Sequence, residues 1–121
     1  MSEQKRQVVG IDVSKKKLDV TLLKATGGKR RKQIANTTAG IAALDEWLQK
    51  QGEGEVHICM ESTSVYWEEL AETLVAKGYT VSVVNPLRIK GHAISQLRRS
   101  KTDPIDGDVI ADFCRDRKSV V

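Results

Sequence analysis

Val56-His57-Ile58-Cys59-Met60 is apolar at nearly every position, and Glu61 follows it directly. A strand of that kind has no face to offer water, so it is central and needs covering helices on both sides of its sheet. Val8-Val9-Gly10-Ile11-Asp12-Val13 reads as a second short buried strand, again with an acid near its end. Leu18, Val20 and Leu22 alternate with Asp19, Thr21 and Leu23, the period of a strand with one buried face. Gly27-Gly28 offers a turn, and Gln33 to Asn36 returns as a third strand, which makes the opening an antiparallel meander.

Helices occupy most of the remainder. Thr37 or Thr38 caps the first, with Ile41, Leu44 and Leu48 on one face and Gly52 past its end. Trp67, Leu70 and Leu74 mark a second that stops at Gly78, and Tyr79 to Val84 forms the last strand. Asn85-Pro86 opens a third helix. Asp103-Pro104-Ile105-Asp106 opens a fourth, with Asp103 as cap, Asp106 in the first turn, and Ile105, Val109 and Phe113 on its buried face. Three strands followed by helix, strand, helix, strand and two helices build an α/β domain: a five-stranded mixed sheet with helices on both faces, the first and fourth strands parallel at its centre. This order resembles the ribonuclease-H-like fold. A chain of 121 residues hides about two-thirds of its unfolded surface, enough for one core, so residues 1–121 read as a single domain.

Composition excludes several classes. Apolar residues make up 40% and charge is mixed in sign, which rules out disorder. Apolar runs such as Val81-Ser82-Val83-Val84 are too short to span a membrane, and Met1 to Arg6 lacks the apolar core of a secretory signal. Cys59 and Cys114 both fall in apolar periodic segments and read as reduced packing residues of a cytoplasmic protein. His57 and His92 are too isolated to propose as a zinc site or as a base, and read as a strand residue and a surface helix position.

The net charge of +4 conceals segregation: +7 over residues 1–35, −6 over 36–85 and +3 over 86–121. Lys29-Arg30-Arg31-Lys32 is the densest basic cluster. Such patches favour a polyanion through counterion release, and a solvated hairpin tip accounts for this one equally well.

In an open α/β sheet, ligands gather at the carboxyl ends of the strands. Asp12 and Glu61 stand there on two strands expected to be neighbours, and Asp103 and Asp106 share one side of a helix start. Four carboxylates meeting in one crevice raise one another's pKa unless cations neutralise them. Mg²⁺ or Mn²⁺, bound by hard oxygens, suits the phosphodiester chemistry of a nuclease. Capping alone also accounts for Asp103 and Asp106, and Asp108, Asp112 and Asp116 read as solvated helix-face acids.

Gly10-Ile11-Asp12-Val13-Ser14-Lys15, Met60-Glu61-Ser62-Thr63-Ser64-Val65-Tyr66-Trp67, Val84-Asn85-Pro86 and Lys101-Thr102-Asp103-Pro104-Ile105-Asp106 occur in that order. Together they resemble the DEDD transposases of bacterial insertion sequences, the group that includes the Piv-type DNA invertases. The resemblance spans essentially the whole chain. It implies a RuvC-like nuclease domain in which Asp12, Glu61, Asp103 and Asp106 are the D, E, D and D that bind Mg²⁺ or Mn²⁺. It implies a longer, homo-oligomeric protein whose carboxy-terminal domain carries a serine nucleophile, and a structured guide RNA that pairs with DNA on the nucleoid. Phosphate contacts are expected from Lys15, Lys29, Arg30, Arg31, Lys32, Arg98, Arg99 and Lys101. Ser64 replaces the family's usual glycine, and Gly107 its usual alanine, a change that weakens a helix by about 1 kcal/mol.

Two other readings compete with a catalytic domain. One is a module that docks RNA or DNA without reacting. The other takes Gly10 to Ser14 as the phosphate loop of an actin-like ATPase.

Overall fold

The computed structural model describes residues 7–25, 27–51, 55–61, 65–95 and 106–116, with side chains through residue 91 and again from 106 to 115. Five strands, β1 (Gln7–Val13), β2 (Lys17–Leu23), β3 (Lys29–Ala35), β4 (Val56–Glu61) and β5 (Thr80–Val84), form one sheet in the order β3-β2-β1-β4-β5. The two hairpin pairings are antiparallel, while β1–β4 and β4–β5 are parallel, as expected of a meander followed by helical crossovers. The helices are α1 (Thr38–Gln49), α2 (Glu68–Ala76), α3 (Pro86–Ser95) and α4 (Gly107–Asp116).

Local chemistry sets several boundaries. The Thr37 hydroxyl accepts the Gly40 amide at 3.0 Å and starts α1. Asn85 Oδ1 accepts the Leu87 amide at 2.7 Å and starts α3, with Pro86 at its first position. The basic cluster lies in regular strand rather than at a hairpin tip, because β3 pairs with β2 along its whole length, from Lys17↔Ala35 to Leu23↔Lys29.

Alternation along the strands divides the core. Val9, Ile11, Leu18, Ile34, Ile58 and Met60 pack with α1 and α2 on one face. Val8, Leu23, Cys59 and Val84 pack with Ile89 of α3 and with α4 on the other. Helix α4 is buried more completely than one apolar stripe predicts: Val109, Ile110, Ala111, Phe113 and Cys114 are all buried. It lies directly on the sheet with α3 against it.

That approach needs glycine. A Cβ on Gly10 would overlap the Ala111 amide nitrogen and the Gly107 carbonyl. A Cβ on Gly107 would sit 2.8 Å from Thr21 Oγ1 and 3.0 Å from the Asp19 carbonyl. Gly107 is therefore more than a weak helix former here, since it lets the first turn of α4 rest on β1 and β2. Gly10 to Val13 belong to β1 and only Ser14 to the turn after it, so most of the segment read as a phosphate loop is regular strand.

Cys59 and Cys114 are joined by a disulfide between β4 and α4, with Cα atoms 5.9 Å apart. Their expected state as reduced thiols is thus corrected. The crossing of α4 over β4 brings together two residues separated by 55 positions, which spacing in the chain does not reveal. Among the described residues no helix is long and apolar enough to cross a membrane.

Candidate functional site

Two parallel strands and one helix build an acidic corner. Ile11 of β1 lies beside Met60 of β4 in register, so the next residues, Asp12 and Glu61, emerge side by side at the carboxyl ends. Both have the parity of Gly10 and Cys59, which places them on the face covered by α4. Asp19 is opposite Asp12 across the first hairpin and accepts a 2.9 Å hydrogen bond from Gln33 Nε2. Asp106 comes in from α4. It is the helix cap and not a first-turn residue: its Oδ1 accepts the Val109 amide at 3.0 Å, and its carbonyl accepts that of Ile110.

The electrostatics centre on Asp12. Half-burial, followed by the charges of Glu61, Asp19 and Asp106, pushes its carboxyl up to about 6, with Lys17 offsetting only part. The structure thus gathers Asp12, Glu61 and Asp106 around one corner and adds Asp19. The hairpin register, folded about the polar turn Ser14-Lys15-Lys16, was the signal that could have found Asp19. Asp103, Arg98, Arg99 and Lys101 lie outside the described residues.

Two residues into α4 the surroundings reverse. Asp108 Oδ1 accepts from the Thr21 hydroxyl at 2.7 Å and from Arg31 Nε at 3.1 Å. Its Oδ2 accepts from Arg31 Nη2 at 2.5 Å and lies 3.5 Å from Lys29 Nζ. These donors, the Arg31 guanidinium first, hold the carboxyl far below the usual range despite partial burial. Asp108 is therefore not the solvated helix-face acid that its spacing suggests. Lys29 and Arg31 point to this face, whereas the exposed Arg30 and Lys32 share the parity of Ile34 and point to the other. Lys15 is exposed in the β1–β2 turn.

His57 is fully buried, with Nε2 2.8 Å from Ser82 Oγ and Nδ1 3.4 Å from Cys114 Sγ. With Cys59 it forms a cluster of soft donors within 4.8 Å of one another, so His57 is not isolated as its position in the chain implies. The disulfide already engages both sulfurs.

Residues 9–121 match the family model of the DEDD transposases of the IS110 type, described as transposase. The chain belongs to the DEDD transposase family. It is 32% identical over 107 residues to the pilin gene-inverting protein of Moraxella bovis, which covers 87% of this chain and 33% of that relative. The protein of the same name from Moraxella lacunata is 31% identical over the same shares. The chain spans about a third of the length of these relatives. Among solved structures, the T. thermophilus RuvC in complex with a Holliday junction substrate superposes with a TM-score of 0.51 at 15% identity, covering 90% of this chain and 89% of that one. The transposase domain has a RuvC-like, ribonuclease-H-like fold. The parallel pair β1 and β4 lies at the centre of the five-stranded sheet, as expected from the sequence.

Proposed function

We propose that this transposase domain is the metal-dependent catalytic module of a DNA recombinase, acting in strand cleavage and exchange within a longer, RNA-guided and homo-oligomeric cytoplasmic protein. The observation that carries the reading is the condition of Asp12. A carboxylate crowded by three others and driven to about 6 lacks a counterion of matching strength, and a hard dication supplies one. The donor set of Asp12, Glu61 and Asp106, with Asp103 as the family's remaining acid, fits Mg²⁺ or Mn²⁺. Bound there, such ions would activate water and stabilise the departing oxygen of a phosphodiester.

The chain's own residues have distinct tasks. Asp12 gives up its proton to become a ligand, which favours binding above about pH 6. Glu61 is carried by the strand beside it, and the cap position of α4 brings Asp106 to the same edge. Lys15, Arg30 and Lys32 offer exposed cations to a phosphate backbone, joined by Arg98, Arg99 and Lys101. Two relationships support DNA as the substrate: the gene-inverting relatives and the fold shared with a protein solved on a Holliday junction.

A Mn²⁺ titration followed by electron paramagnetic resonance tests the site. The chain should bind the ion, and Asp12→Ala or Glu61→Ala should abolish binding, as well as recombination by the full-length protein. Unchanged binding in both variants refutes the assignment. A second reading, docking without chemistry, is favoured by the exposed row from Lys29 to Gln33 on the edge strand β3. Under that reading nucleic-acid affinity survives chelation and falls steeply with salt.

A further inference from the structure

Asp108 is an acid at the active end of the sheet that the metal site does not use, and its surroundings explain why. Thr21, Arg31 and Lys29 place four donor atoms on its two oxygens, close to the full acceptor capacity of a carboxylate. The arginine is bidentate, the geometry that fixes direction as well as distance. All three partners come from the adjacent strands β2 and β3, while Asp108 belongs to the first turn of α4.

We propose that Asp108 is a positioning residue: it docks the amino-terminal turn of α4 on β2 and β3 and so sets Asp106 beside Asp12, with Lys29 and Arg31 serving as its counterions. This rests on the reading of Asp12, Glu61 and Asp106 as the metal site. Three observations meet in it. Gly107 brings no side chain to that turn, where a Cβ would meet Thr21, the residue that also donates to Asp108. The Asp106 side chain turns inward to cap its own helix. Asp108, the next residue, reaches across to Thr21 of β2 and Arg31 of β3. Arg31 is 64% exposed, so the ion pair adds little to global stability. Its consequence is a local constraint, and that separates a positioning role from a merely structural one.

The experiment is amide hydrogen exchange together with Mn²⁺ affinity, on the chain and on its Asp108→Asn and Arg31→Gln variants. Both substitutions should speed exchange at Val109, Ile110 and Ala111, leave β1 and β4 protected, and weaken Mn²⁺ binding about 10- to 100-fold, the range for residues that orient ligands. Reversing the pair, with Arg31→Asp and Asp108→Arg in one chain, should recover much of both. Equal protection of the α4 amides in Asp108→Asn overturns the proposal, as does loss of protection throughout the sheet, which would mark a general stabilising role. If the unaltered chain takes up no Mn²⁺, the metal reading fails by itself and the exchange data still decide the docking role.

Discussion

Asp12 and Asp108 stand on the same side of the sheet, one at the end of β1 and the other in the first turn of the helix above it, yet their protons are held in opposite ways. Asp12 is half-buried among acids and keeps its proton to about pH 6. Asp108 is also partly buried, but a guanidinium, a hydroxyl and an ammonium face it, and it gives up its proton well below the normal range. Burial raises both and is the largest cause at Asp12, where the neighbouring acids add to it; at Asp108 the donors outweigh it. The difference teaches which acid is already matched: Asp108 has its counterions built in, whereas at Asp12 Lys17 offsets only part of the rise.

Both environments depend on α4 lying flat on the sheet, so lifting the helix is the most severe way to break the contrast. Gly10→Ala would drive a methyl group into the backbone of Gly107 and Ala111, which no rotamer change relieves. It should destabilise the chain by about 3 kcal/mol, the upper part of the range for overpacking. The Asp12 and Asp108 carboxyls should both relax toward ordinary values. Urea unfolding gives the first quantity and carboxyl ¹³C titration the second. A chain of normal stability with both shifts intact would show that the close approach of α4 is not what sustains them.

A smaller effect sharpens the contrast through its sign. The folded state binds the Asp12 proton more tightly than the unfolded chain does, so this carboxyl adds stability below about pH 4 that disappears as pH rises through about 6. Asp108 is the reverse: its contribution is present above about pH 4 and is lost as pH falls toward its depressed folded value. Asp12→Asn removes the first dependence alone. It should stabilise the metal-free chain at pH 7 by about 1–2 kcal/mol, the linkage value discounted for solvent exposure, and by almost nothing at pH 4. Unfolding curves at the two pH values check this, and an advantage independent of pH would contradict the assigned shift. A carboxylate whose removal stabilises the chain is one retained at a cost in stability, as groups at functional sites are.

Much of this architecture was legible in the chain because strand faces and helix stripes repeat over short distances. The apolar run ending at Met60 placed β4 at the centre, and Thr37 and Asn85 announced two helix starts. The side-by-side placement of Asp12 and Glu61 followed from a parallel pairing of β1 and β4. What escaped depends on how α4 crosses the sheet. Asp108 meets Arg31 across 77 residues, and Cys114 meets Cys59 across 55. Helical spacing shows that Asp108 and Asp112 share a face; it cannot show that basic strand residues stand opposite one of them. Gly107 was misjudged for the same reason, since its cost within the helix is local and its benefit lies in the contact with Thr21.

A third acid tests whether depression of a carboxyl requires cations at all. Asp45 of α1 lies near the amino ends of β4 and β5, away from the acidic corner, and accepts from the Tyr79 hydroxyl at 2.7 Å and from Gln49 Nε2 at 3.1 Å. Its carboxyl is lowered chiefly by the tyrosine, with Lys77 at 3.5 Å a lesser contributor, and the tyrosine hydroxyl is raised in turn by burial and by this acid. A neutral donor does here what the guanidinium does for Asp108. Tyr79→Phe should cost about 1 kcal/mol, the net worth of one hydrogen bond to a charged group at a partly exposed site. It should also return Asp45 toward its ordinary range. Added salt should change the Asp45 titration little and that of Asp108 more, because screening acts on exposed ion pairs and hardly on a hydroxyl contact. Equal salt responses would mean that Lys77, and not Tyr79, governs Asp45, and the distinction between the two acids would then be one of degree.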